Sequence, residues 1–283
     1  MRKELHGYFI LSAISKIIAG FLFEINGYIP FICCLFIEIL VSIMAMCFIE
    51  PLQKEKSKSH VKTQITEIKQ GIQYVLKSER LKALVLAASL IASVLTILGS
   101  YRTSLLQDIK VPAYLMGMIA AALSFASAYA CKKQNEFHNR FRNKSIIVMA
   151  LLISVNTIFT GLLGLKAENS IILTSIIIIL FLITKFAHGI FYTIMDRYFR
   201  NFTNKNIDTK VFATKNLFVN IISAIMGILA SFLLDKMETA YCMIVVGVTF
   251  TILYLVMARY MKTRVGLKPE QYSKEETKYD EVA

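Results

Sequence analysis

The sequence predicts an all-α polytopic membrane protein with about eight transmembrane helices. Three observations predict it. The chain is 56% hydrophobic and only 18% charged, with mean hydropathy +0.57, and its polar residues gather in a few clusters. In a soluble domain of 283 residues they would be spread through loops and helix faces. Second, apolar runs recur at close to the roughly 20 residues that a helix needs to cross hydrocarbon. Third, the Lys and Arg residues fall on one side of those runs. With the N-terminus placed inside, twenty-six of the 32 lie in alternate segments, whereas the opposite loops hold only Lys110, Lys166 and Lys236. That asymmetry predicts a multi-pass protein of the cell membrane with both termini cytoplasmic.

Eight segments read as spans: residues 8–25, 30–49, 83–106, 111–130, 145–165, 171–195, 211–234 and 239–258. A helix satisfies its own backbone in lipid, so each can cross alone. Met1-Arg2-Lys3 precedes the first run, but no small-residue cleavage pattern closes it, and a span rather than a cleaved leader is expected. Stretch 83–101 is the clearest, nineteen residues without a charge. After the second span Pro51 stops the helix, and a charged linker leads into Val61, Ile65, Ile68, Ile72 and Val75 at helical spacing. Lys62, Glu67, Lys69 and Lys77 lie off that stripe, which predicts an amphipathic helix in the membrane interface. In the later spans Ala122, Ala126 and Ala130, and again Gly227 and Ser231, repeat every four residues as candidate close-packing faces.

Composition also excludes functions. A net charge of +13 could suggest nucleic acid, but the cations lie between apolar runs rather than along one soluble face. Cys33, Cys34, Cys47, Cys131 and Cys242 make no C-x-x-C and stand at no metal-ligand spacing from a histidine. Free buried thiols are expected, with no metal and no cofactor. Gly161-Leu-Leu-Gly164 follows no strand, so it is no nucleotide loop. Neither a Ser-His-Asp set nor a carboxylate pair emerges, and an enzyme is not expected.

Ionisable residues inside spans cost roughly 2.5–3.5 kcal/mol each on insertion scales, so each calls for a partner or a wet cavity. Lys185, His188, Tyr192 and Asp196 follow one another at intervals of three, four and four, and so share a helix face. Two readings stand. The face lines a substrate cavity, where Lys185 draws an anionic group and His188 can change charge near neutral pH. Alternatively Lys185 pairs within the bundle and Asp196 belongs with Arg197 at the membrane surface. Lys16 and Glu38 each lie eight residues inside their spans, and a buried ion pair is expected there, structural rather than proton-coupling. Tyr101 and Arg102, with Asp108 beyond them, are candidates for an outer gate; the other reading has Arg102 snorkelling to the interface.

The array of two spans, a long basic loop with an amphipathic helix, and six more spans resembles the latter two-thirds of a major facilitator superfamily transporter. GFLFEINGYIPF (20–31) is similar to that family's junction between its fifth and sixth helices, and FIEP (48–51) to the end of the sixth. YRTSLLQDIKVPAYLMGMIAAALS (101–124) resembles the connection between the seventh and eighth. HGIFYTIMDRYFRN (188–201), with Ala213-Thr214, resembles that between the tenth and eleventh. The resemblance implies a partial twelve-helix fold. Residues 1–49 would end its N-terminal half, 50–82 form the inter-half loop, 83–261 the six-helix C-terminal half and 262–283 a cytoplasmic tail. It further implies small-molecule or drug efflux by alternating access, with a solute and a proton as partners besides the lipid bilayer. An N-terminal four-helix segment would be the missing partner. The competing expectation is a non-transporting product: a truncated remnant, or a membrane subunit that needs that segment from a separate gene.

Overall fold

The computed structural model describes residues 2–48, 61–141, 144–168, 170–203 and 208–262, with side chains for all of these except 2–9, 61–65, 208 and 262. Nine helices and no strands occur among the described residues. They are α1 (Arg2–Ile25), α2 (Ile29–Met46), α3 (Val61–Lys77), α4 (Glu79–Asp108), α5 (Ala113–Phe141), α6 (Ser145–Gly164), α7 (Ile171–Phe202), α8 (Asp208–Leu234) and α9 (Thr239–Lys262). Seven of them, α2 and α4–α9, are long and apolar enough to cross a membrane. The eighth expected span, residues 8–25, falls within α1. The chain is an all-α polytopic membrane protein.

Local chemistry sets the helix ends. Ser78 begins α4, its Oγ accepting from the Leu81 backbone N–H at 3.3 Å, and Ser170 begins α7 by the same device towards Leu173 at 3.4 Å. Pro30 sits in the first turn of α2, where its missing N–H costs nothing. Two basic segments that read as loops are largely helix, since α5 runs on to Phe141 and α7 to Phe202. Helical hydrogen bonds, once started in the membrane, propagate into water without a new nucleus.

Helices α4–α9 form a bundle in which α4 packs on α8 and α9, α6 on α9 and α7, and α5 on α7. Helix α1 lies along α5, and among the described residues α2 packs mainly on α1, with no buried residue. Of the small residues in the four-residue repeats, Ala130 is buried in a close contact, its Cβ 3.0 Å from where a Cβ on Gly189 would lie, while others face outward. Gly227 has nothing within 4 Å, and Ala122 and Ser231 are exposed. Outside the repeats, a Cβ on Gly117 would lie 2.8 Å from the Lys16 carbonyl oxygen and 2.9 Å from Gly20 Cα, so α1 and α5 touch backbone to backbone. At Gly189 a Cβ would come within 2.5 Å of the Ser127 carbonyl oxygen, and at Gly161 within 2.7 Å of that of Ala240. Those two contacts join α7 to α5 and α6 to α9. A four-residue repeat marks a face but not which face turns inward.

Helix α3 is present as expected, and its stripe meets protein as well as the surface. Val75 is buried, and Gly71 sits against the Lys210 carbonyl and the Thr214 hydroxyl of α8. Lys210 donates to Gln70 Oε1 at 3.0 Å and lies 3.7 Å from Glu67. Ile68 remains exposed. The cysteines are free, but only Cys131 and Cys242 are buried; Cys33, Cys34 and Cys47 are exposed, in keeping with the absence of any buried residue on α2. At the end of the molecule opposite the basic segments, Lys110 takes a left-handed turn (φ 61°) and bridges to Glu168 at 2.8 Å. The bond and the opposite charge hold the Glu168 carboxyl below its usual range and the Lys110 ammonium above its own.

Candidate functional site

Helices α1, α4, α5 and α7 line a half-open cavity of about 290 Å³. Helix α7 supplies Lys185, His188 and Tyr192, whose spacing of three and four keeps them on one face over about 10 Å of rise. Helix α1 adds Ser12 and Lys16, one turn apart, and α4 adds Arg102. The α5 wall is Ala120, Leu123, Ser124 and Ser127.

The seam between α1 and α5 fixes this geometry. At its far end the Tyr114 backbone N–H donates to Glu24 Oε2 at 3.3 Å, and the Phe21 and Tyr114 rings stack at 6.4 Å. Next comes the Gly20–Gly117 contact, and then Lys16 Nζ donates to Ser124 Oγ at 2.6 Å. Across the cavity the Ser127 hydroxyl donates to the Lys185 carbonyl at 3.0 Å and the Cys131 thiol to the Gly189 carbonyl at 3.4 Å, which holds α7 against α5. The Tyr192 ring meets the His188 ring edge-on, 5.0 Å between centroids, and His188 Nδ1 is buried with no hydrogen-bond partner. Arg102 and Lys185 also line a neighbouring void of about 20 Å³ among Thr157, Thr160 and Thr184, space for one water.

Of the stripe named from sequence, Lys185, His188 and Tyr192 meet in the cavity. Asp196 does not: its carboxylate pairs with Lys215 Nζ at 2.9 Å, not with Arg197. The same ammonium lies 4.7 Å from the Phe212 ring centre and 5.4 Å from that of Phe199. One further turn along α7 carries Asp196 past the cavity and within reach of α8.

The expected Lys16–Glu38 pair is absent. Lys16 turns into the cavity towards Ser124, whereas Glu38 is exposed on α2. Both helices carry their charge at mid-length, but α1 turns that face to α5 rather than to α2. Nor do Tyr101, Arg102 and Asp108 form a gate. Tyr101 is buried, and its hydroxyl donates to the Ala230 carbonyl of α8 at 2.7 Å. Arg102 faces the cavity, and Asp108 is exposed at the end of α4. Six residues are one and two-thirds turns, which puts the two on different sides of the helix.

Sequence reasoning missed Ser12, Ser124, Ser127 and Lys215. For Ser12 a signal existed, since it stands one turn from Lys16. Ser124 and Ser127 look like any hydroxyls in an apolar run, and only packing distinguishes them. Compared with protein families, curated proteins and solved structures, the chain matches none of them.

Proposed function

We propose that the chain is a membrane transport protein of the major facilitator type that its sequence resembles, moving a small solute, as in small-molecule or drug efflux. The observation that carries this reading is the polar cavity walled by α1, α4, α5 and α7 within an otherwise apolar helical array. Ionisable groups facing such a space inside a membrane protein are the usual mark of a substrate path. The cavity lies where α1 meets the α4–α9 bundle, and alternating access would rock one against the other around the site. Lys185 and Arg102 would hold the solute, and Ser12, Ser124, His188 and Tyr192 would orient it. With the protein in proteoliposomes, Lys185→Ala is expected to lower solute flux about tenfold or more at unchanged protein content. Wild-type flux in that variant would overturn the reading of this site.

One observation favours a second reading, a membrane subunit completed by another polypeptide. Helix α2 has no buried residue, and Glu38 is exposed at its middle with no ion pair among the described residues. A bare carboxylate against lipid is costly, whereas a helix with a donor at that depth would satisfy it. Oxidative cross-linking through Cys33 and Cys34 in native membranes is then expected to give a discrete adduct with another integral-membrane polypeptide, and flux only when the two are made together. Full flux from the purified chain alone would exclude it.

A further inference from the structure

We infer that the cavity between α1, α4, α5 and α7 selects a small organic anion bearing a carboxylate or phosphate group. This rests on the transport reading for its function, though not for the binding itself. Three cations line the space, Lys16, Arg102 and Lys185, and none of the lining residues described is acidic. They come from three different helices, so the concentration of charge is made by the fold and not by one stretch of sequence. Among the described residues, only Lys16 of the three has a side-chain hydrogen-bond partner, the neutral hydroxyl of Ser124. No carboxylate among the described residues pairs with Arg102 or Lys185. Cations gathered in one cavity repel one another, and a bound anion relieves that cost.

The lining also indicates what kind of anion. A guanidinium presents a planar fork that matches two oxygens of a carboxylate or phosphate, while the ammonium of Lys185 acts as a point charge beside it. His188, its Nδ1 buried and unpartnered, offers one more polar contact. The α5 wall has the apolar side chains of Ala120 and Leu123, which favour a hydrocarbon body over a bare inorganic ion. A volume near 290 Å³ is about ten times that of a water molecule, the size of a single-ring or short-chain acid.

The test uses the full-length protein in nanodiscs with four labelled probes: benzoate, phthalate, trimesate and inorganic phosphate. At least one organic anion is expected to bind saturably, and benzamide and benzyltrimethylammonium, of similar size but neutral or cationic, are expected not to displace it. Lys185→Gln and Lys16→Gln should each weaken binding about tenfold, and Lys185→Arg should largely restore it. Circular dichroism and size-exclusion profiles matching wild type show that a weakened variant is folded. No saturable binding of any of the four probes to folded protein overturns the inference. So does displacement by the cation as effective as by the anion, or tight binding of phosphate alone. Flux of the bound probe in proteoliposomes separates the two readings. Binding without flux keeps the anion site and ends the transport reading, whereas flux of benzyltrimethylammonium without anion binding does the reverse.

Discussion

At the scale of single residues, the same chemistry takes opposite roles according to which way a helix face is turned. Tyr101 and Arg102 are adjacent, yet one is a strut and the other a wall of the cavity. The Tyr101 hydroxyl bonds a carbonyl of α8, one bond of the kind that stabilises by about 1 kcal/mol. Tyr101→Phe should therefore lower the melting temperature in detergent slightly and leave flux unchanged; a loss of flux at normal stability would restore Tyr101 as a gate. Glu168 and Lys110 illustrate an ion pair of the opposite kind, both fully in water. The Glu168 carboxyl is held below its ordinary value of 4.5, so its contribution is present above that value and fades as pH falls through the lowered one. The Lys110 ammonium is raised, so its share is complete below 10.5 and is lost on passing the higher folded value. Solvent screens such a pair, and it fixes the conformation of the turn rather than the stability of the bundle.

At the scale of elements, the helices are held by close approach, because lipid gives apolar faces no reason to leave it for one another. Glycine matters where two backbones meet. In Gly117→Val the new side chain would strike the Lys16 carbonyl and Gly20 Cα, both backbone atoms, so α1 itself must move. That substitution is expected to cost about 1–3 kcal/mol and to open the cavity wall, which raises the labelling rate of a cysteine placed at Ser12. Gly227→Ala meets nothing within 4 Å and should be neutral or stabilise by a few tenths of a kcal/mol. If the two variants behaved alike, the α1–α5 seam would not be the contact that shapes the site. Helix α3 belongs to this scale too. Its periodicity was legible from Val61 to Val75, but its docking on α8 through Gly71 was not, because a glycine carries no hydrophobic signal.

At the scale of the whole molecule, charge asymmetry predicts how the bundle lies in the membrane. A cysteine replacing Asn135 in the basic stretch of α5 should be labelled by an impermeant maleimide only after the cells are opened. One replacing Lys166, at the far end, should be labelled in intact cells. The reverse pattern would invert the protein and with it the side from which the cavity fills.

Sequence alone determined the helical class, the spans α4–α9 and the stripe Lys185–His188–Tyr192. These are local properties, set by hydrophobic run length and by a period of 3.6 residues. Tertiary structure alone decided that Lys16 turns from Glu38 to Ser124, that Asp196 finds Lys215, and that Arg102 joins Lys185 across the bundle. Each of those partnerships joins residues far apart in the chain. The rotation of each helix about its axis, set by where small residues let backbones touch, is what brings them together.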